Sequence, residues 1–341
     1  QHVIQRHDHT KRTILTGLAF LSICTFWQIY DSIIPLILKE EFAIGDTLSG
    51  VIMALDNVLA LFLLPVLGAL SDKTHTKLGR RVPYILAGTA CAVVFMMLLP
   101  VSAKARNLPL FMAALALTLL SMSLYRSPAV ALMPDLTPKP LRSKGNAIIN
   151  LMGAVGGVMA LGFITVMVPK TENPDYNAVF AAAAIVMVVS VTILALTIRE
   201  NKMAVKDEPE EKERAENVPQ RGLSAPEKRS LVLILASVFF WFMGYNAVTT
   251  AFSKYARAYW GLTGGAFAYT LIIAQAAAIC AYLPVAALSQ RIGRRKTILC
   301  GVTGLTLAFG AAVFFRFFNY GMFALFALAG ISWAAINVNS Y

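Results

Sequence analysis

The chain has 341 residues, 57% hydrophobic and 14% charged, which excludes an ordinary soluble globular domain. Its net charge of +12 does not point to nucleic acid, because the basic residues fall in short loops between apolar runs and build no aromatic-interleaved basic face. Their natural counterpart is the anionic leaflet of a membrane.

Ten apolar runs reach the roughly 20 residues that a membrane-spanning helix needs. They are 13–39, 47–71, 82–103, 108–134, 144–168, 177–198, 230–256, 264–289, 297–316 and 319–341. The first run is too long for the apolar region of a cleavable signal. Gln1 is not an initiator, so a few residues are expected to have been trimmed. Cys24, Cys91, Cys280 and Cys300 all lie inside apolar runs, with no CxxC and no metal spacing, and read as packing residues.

Charges inside a span are expensive and therefore functional candidates. Asp31, beside Tyr30 in the first run, stands about 28 Å from Arg12 at 1.5 Å per residue. Asp56, beside Asn57 in the second, stands about 24 Å from Asp72. The two carboxylates are thus expected at similar depth. Two such groups close together in low dielectric cannot both ionise comfortably, so Asp31 and Asp56 are the proton-coupling candidates. The competing reading puts Asp31 near the outer surface or at a chain turn before Pro35, and has Asp56 hydrogen-bonding a neighbouring helix. His2, His7, His9 and His75 all lie outside the spans, which excludes a histidine relay.

Between the second and third runs, Gly68–Pro83 carries Lys73, Lys77, Arg80 and Arg81. Asp72 faces the negative end of its own helix there and needs an outside partner, an arginine or another helix N-terminus. Gly68 allows a second helix to approach closely. The loop reads either as an ordinary basic loop or as a gate in which Asp72, Arg80 and Arg81 make and break contacts. In the fourth run Tyr125-Arg126 places a guanidinium within a span, about 14 Å from Asp135, to bind substrate or to pair structurally. Gly153, Gly156 and Gly157 suit close helix packing and not phosphate binding, since no Lys-Ser/Thr follows.

Orientation follows from counting. With the N-terminus inside, inner segments hold 22 Lys/Arg and outer segments seven, with Arg126 left within a span. Residues 199–229, charged and interrupted by Pro209, Pro219 and Pro226, read as a cytoplasmic linker. The predicted organisation is therefore a six-helix lobe (1–198), the linker, and a second lobe (230–341). In the seventh run Trp241, Tyr245 and Thr249 recur every fourth residue with Asn246 beside them, an aromatic and polar face suited to a sugar. Interhelical hydrogen bonding is the alternative, and Gln275 and Asn337 have the same two readings. Ala287–Lys296 weakly repeats Gly68–Arg81, the mark of a two-lobed carrier. Equal lobes need six helices each, so about 10 of 12 are present and the chain is expected to be truncated. No HExxH, GxSxG, P-loop or paired metal-binding carboxylates occur, so neither enzyme, cofactor nor metal is expected.

Gly68-Ala-Leu-Ser-Asp72-Lys, followed by Gly79-Arg80-Arg81, resembles the signature loop of the major facilitator superfamily. Its longer spacer is similar to the sucrose-transporter-like and glycoside–cation symporter branches. Tyr30-Asp31-Ser-Ile-Ile-Pro35, Gly244-Tyr245-Asn246 and Trp333-Ala-Ala-Ile-Asn337 look like cavity segments of the prokaryotic sucrose-transporter-like branch. Two departures matter. The arginine and aspartate of plant sucrose transporters would fall on Val130 and Leu119, and the aspartates of the melibiose-permease sodium site on Ala60 and Leu64. The resemblance implies an all-α membrane protein of two pseudo-symmetric lobes, with spans one, four, seven and ten around a cavity. It implies sugar uptake with a proton. Together with the polar residues read above, the expectation is uptake of a di- or oligosaccharide by a monomer in the cell membrane, in contact with lipids, with Tyr30, Asp31, Asn57, Tyr125, Arg126, Trp241, Tyr245, Asn246, Thr249, Gln275 and Asn337 as substrate contacts. The rivals are a carrier or exporter of another solute, sodium-coupled uptake, and a non-transporting scaffold or sensor.

Overall fold

The computed structural model describes residues 2–138, 142–171, 174–203 and 224–339. Twelve helices account for nearly all of them: α1 (His2–Glu40), α2 (Asp46–Met53), α3 (Leu55–Lys73), α4 (Val82–Lys104), α5 (Leu108–Leu136), α6 (Arg142–Met167), α7 (Asn177–Thr197), the single turn α8 (Glu200–Met203), α9 (Ala225–Trp260), α10 (Ala266–Ile292), α11 (Arg294–Ala312) and α12 (Met322–Asn337). Seven helical segments are long and apolar enough to cross a membrane, and two shorter apolar ones, Ala266–Tyr282 and Met322–Asn337, join them. Each of the ten predicted spans is helical.

Several boundaries differ from expectation, among them those of the second, seventh and ninth spans. The second span is α2 and α3, interrupted at Ala54, whose N–H is shared between the carbonyls of Gly50 and Val51. The seventh span begins inside the predicted linker, because Ser224 and Glu227 form a capping box and Pro226 sits in the first turn. It ends at Gly261 in the left-handed conformation (φ 63°). The ninth span stops at Ala312, four residues early. Most of the predicted linker, 204–223, lies outside the described residues.

α1 is the most buried long helix and packs on α5, α6, α7 and α9. Gly156 lets α6 approach the carbonyl of Leu21 on α1, where a Cβ would collide. α4 packs between α5 and α7, and α3 lies on α5. There Gly68 meets Ser127, whose hydroxyl donates to the Leu64 carbonyl at 2.9 Å. The second set is looser. α10, α11 and α12 pack on one another, α9 touches α1 and α10, and α6 touches α10. Large apolar side chains on α3 and α9, such as Leu61, Phe62, Val66, Phe239 and Phe240, are exposed. Without a hydrophobic penalty in lipid, such faces are the surface a bilayer solvates.

Candidate functional site

One end of the bundle carries a clamp of charges. Arg81 leaves the loop and turns inward until its side chain is 6% exposed. It pairs with Asp72, and with Asp135 of α5 at 3.0 Å, and donates to Ser71 and to the Gly68 carbonyl. Arg80 joins the same Asp135 oxygen at 3.1 Å. Glu200, which follows α7, accepts from the backbone N–H groups of Arg81 (2.9 Å) and Val82 (3.2 Å) and so caps α4. Gly79, at φ 115°, leaves room for that carboxylate. Asn201 donates to the carbonyls of Thr76 and Lys77. The outside partner that Asp72 requires is therefore Arg81, within the same loop. In the sequence Asp135 marks only the inner end of the fourth span and gives no sign of this pairing, and Glu200 gives none at all.

Between α1 and the second set lies a cavity of about 1040 Å³. One group of polar residues gathers at the α1 side: Gln28 and Asp31 from α1, Tyr245 and Thr249 from α9, Gln275 from α10 and Trp333 from α12. The two amides of Gln28 and Gln275 converge beside Gly157 of α6. The rest of the lining, along α9, α11 and α12, carries Phe252, Phe309 and Phe326, with Tyr255, Tyr259 and the cation Arg316 among them. Trp333 lies nearly parallel to Tyr245 (4.0 Å between ring centres, 25°) and to Trp241 (5.2 Å, 24°), an aromatic wall joining α9 to α12. The indole N–H of Trp241 is buried without a hydrogen-bond partner.

Asp56 is elsewhere. It lines a small pocket with Arg126, Trp27 and Ser123 between α1, α3 and α5. The Arg126 guanidinium lies 5.8 Å from the Trp27 ring centre, and Asn57 donates to Asp56 at 3.0 Å.

The predicted residues therefore divide. Asp31, Tyr245, Thr249 and Gln275 share the cavity, while Trp241 stands behind it in the aromatic wall. Tyr30 is buried against Trp27 and Phe26, its hydroxyl unpartnered. Tyr125 points away from the cavity, its hydroxyl on Ser22 and on the Ala19 carbonyl at 3.0 Å, fixing α5 to α1. Asn337 donates to the Tyr282 hydroxyl at 3.1 Å, joining α12 to α10, and neither it nor Asn246 lines the cavity. The expectation of spans one, four, seven and ten around the cavity needs correction. The fourth, α5, contributes nothing to this lining, and α10 and α11 contribute instead. Gln28 was missed, although it stands three residues before Asp31 and so shares its helix face. Among the described residues no group of three or more His, Cys, Asp or Glu is placed to hold a metal.

The sequence model described as "Major Facilitator Superfamily" matches residues 16–341. The chain belongs to this superfamily. It is a multi-pass membrane protein of a transporter family. Solved structures share the fold at low identity. A bacterial homologue of the human drug peptide transporters PepT1 and PepT2 has a TM-score of 0.69 at 13% identity, covering 98% of this chain and 87% of that one. A D-xylose-proton symporter has 0.67 at 13%, covering 96% and 79%. A bacterial homologue of the human lysosomal transporter Spinster, inward-facing and unoccupied, has 0.65 at 16%, covering 98% and 74%. Comparison with curated protein sequences gives no match.

Proposed function

We propose that this carrier takes up a di- or oligosaccharide together with a proton by alternating access, and that it belongs to the sucrose-transporter-like branch. The observation that carries the reading is the polar corner of the cavity. A single carboxylate, Asp31, faces two amides, a phenol, a hydroxyl and an indole within one enclosure. Sugars present C–H faces that stack on aromatic rings and hydroxyls that need paired donors and acceptors, and this lining supplies both. Asp31 is the proton site in this reading. It opens to the cavity and has no hydrogen bond or ion pair among the described residues, whereas Asp56 lies outside that cavity, in the small pocket it shares with Arg126, and accepts from Asn57. Tyr245, Thr249 and Gln275 contact the sugar directly. Tyr125, Asn337 and Trp241 tie together the helices that present them.

In the same reading residues 1–198 form one lobe and 230–341 belong to a second, rocking as units about the cavity. The protein sits as a monomer in the cell membrane with its N-terminus and the Asp72–Arg80–Arg81 clamp cytoplasmic, as the distribution of Lys and Arg supports. Uptake into proteoliposomes of a panel of sugars, with and without an inward proton gradient, tests this. Accumulation driven by the gradient and abolished by Asp31→Asn, but retained at reduced level in Asp56→Asn, is the expected result. Unchanged gradient-driven accumulation in Asp31→Asn would refute the coupling assignment. A second reading, export of an amphipathic solute, draws support from the apolar stretch of the lining along α9, α11 and α12. Flux of apolar cations but of no sugar would favour it.

A further inference from the structure

At the end of the bundle opposite the Arg81 clamp, charges link the two helix sets to each other. Arg257 of α9 pairs with Glu40 at the end of α1, in a site where both side chains are about 15% exposed. The second guanidinium nitrogen of Arg257 donates to the Gly264 carbonyl at 3.2 Å, and the Tyr176 hydroxyl donates to the other Glu40 oxygen at 3.3 Å. One turn away, Lys254 donates to Asp46 at the start of α2 at 2.9 Å and reaches Ser49 at 3.5 Å. Among the described residues, every ion pair that joins residues 1–203 to residues 224–339 lies at this end. The same two helices, α1 and α9, carry Asp31 and Tyr245 of the polar corner.

We propose that Glu40–Arg257 and Asp46–Lys254 form a two-part latch that closes this end of the cavity, and that transport requires both pairs to part when this end opens. The proposal rests on alternating access and not on the identity of the solute. Burial makes Glu40–Arg257 the stronger part: removing one partner strands the other charge in a half-dehydrated site. Asp46 is 76% exposed, so the Asp46–Lys254 pair is screened and contributes less.

Ser253 offers a reporter. It is buried on α9 next to Lys254 and its hydroxyl has no hydrogen-bond partner. In a background with Cys24, Cys91, Cys280 and Cys300 replaced, Ser253→Cys is reacted with a bulky hydrophilic maleimide in lipid nanodiscs. Thr89→Cys on α4, buried and about two turns from the Arg81 clamp at the other end of the bundle, reports general loosening. Glu40→Gln is expected to raise the rate at position 253 about tenfold or more and Asp46→Asn about two- to threefold. The charge reversal Glu40→Arg with Arg257→Glu should return it towards the starting rate, with position 89 unchanged throughout. An unchanged rate at 253 in both single variants overturns the latch. So does a parallel rise at 89, or a reversal no better than the single changes. Because the readout is accessibility, the latch can stand even if no sugar is carried, and can fail although one is.

Discussion

Glu200 is the sharpest test of how the Gly68–Pro83 loop is held. Its side chain is 2% exposed, yet the carboxylate accepts from two backbone N–H groups at the start of α4 and lies 3.9 Å from Arg80 Nε. Glu200→Ala removes a helix cap, at about 0.5–2 kcal/mol. It also leaves buried donors without acceptors, at about 1–3 kcal/mol each. Allowing for water entering the vacated space, the local loss is about 2–3 kcal/mol, which is about 30- to 150-fold in the local opening equilibrium. Hydrogen–deuterium exchange of a peptide spanning 76–90 reads that number directly, because the orphaned amides are the ones that exchange. Glu200→Gln keeps a neutral acceptor and loses only the attraction to Arg80 and to the helix dipole, about 0.5–1 kcal/mol, or a two- to fivefold faster exchange. Unchanged protection in Glu200→Ala, or equal loss in the two variants, would show that the cap contributes nothing and that packing alone holds the loop.

Arg81→Lys should destabilise nearly as much as Arg81→Ala, about 2–3 kcal/mol by thermal denaturation in detergent, since an ammonium cannot span Asp72, Asp135 and the Gly68 carbonyl as the planar fork does. Asp56→Asn should lower the yield of folded protein by removing the carboxylate that shares a small pocket with Arg126, and Asp56→Asn with Arg126→Gln should recover it, with a coupling of about 0.5–1 kcal/mol in a double-mutant cycle. Gly157→Ala should be tolerated, because a Cβ there meets the Gln275 amide nitrogen at an ordinary 3.5 Å, whereas Gly157→Leu fills the polar corner and should abolish uptake with the fold intact by circular dichroism. The N–H of Asn177, helped by its side chain and by Lys104, holds the Asp175 carboxyl below the usual carboxylate range. A lowered folded-state value means the stabilisation is present above about pH 4 and is lost as pH falls below it. Exchange at 170–180 should therefore quicken at pH 3 relative to pH 6, and Asp175→Asn should remove that difference.

What was legible in this sequence was whatever depends on local sums. Hydropathy over twenty residues located every span, and capping residues explain the boundaries that moved: Ser224-Ala-Pro-Glu227 is a helix start that the proline-rich reading of 199–229 obscured. Choice of partner was not legible, because it depends on which face a residue presents and on what lies across a gap of many residues. Tyr125 and Arg126 are neighbours, yet one pins α5 to α1 while the other faces Asp56. Lys254 and Arg257 count in the sequence only as two of the seven outer charges, because their partners stand 208 and 217 residues away.

The internal repeat shows where pattern and energetics part. Gly79 and Gly293 occupy corresponding places and both have positive φ, 115° and 90°, so the backbone turn recurs. The acids do not. Gln290 stands near the place of Asp72, and Arg291, Arg294, Arg295 and Lys296 form no ion pair among the described residues and are exposed. Three carboxylates, Asp72, Asp135 and Glu200, bind the first loop to α3, α5 and the end of α7. The second keeps its turn and one uncharged tie, the Ser289 hydroxyl donating to the Asn339 amide oxygen just past α12. Two segments alike in sequence thus differ in what restrains them: ion pairs and a buried cap hold the first, and among the described residues a neutral hydrogen bond holds the second.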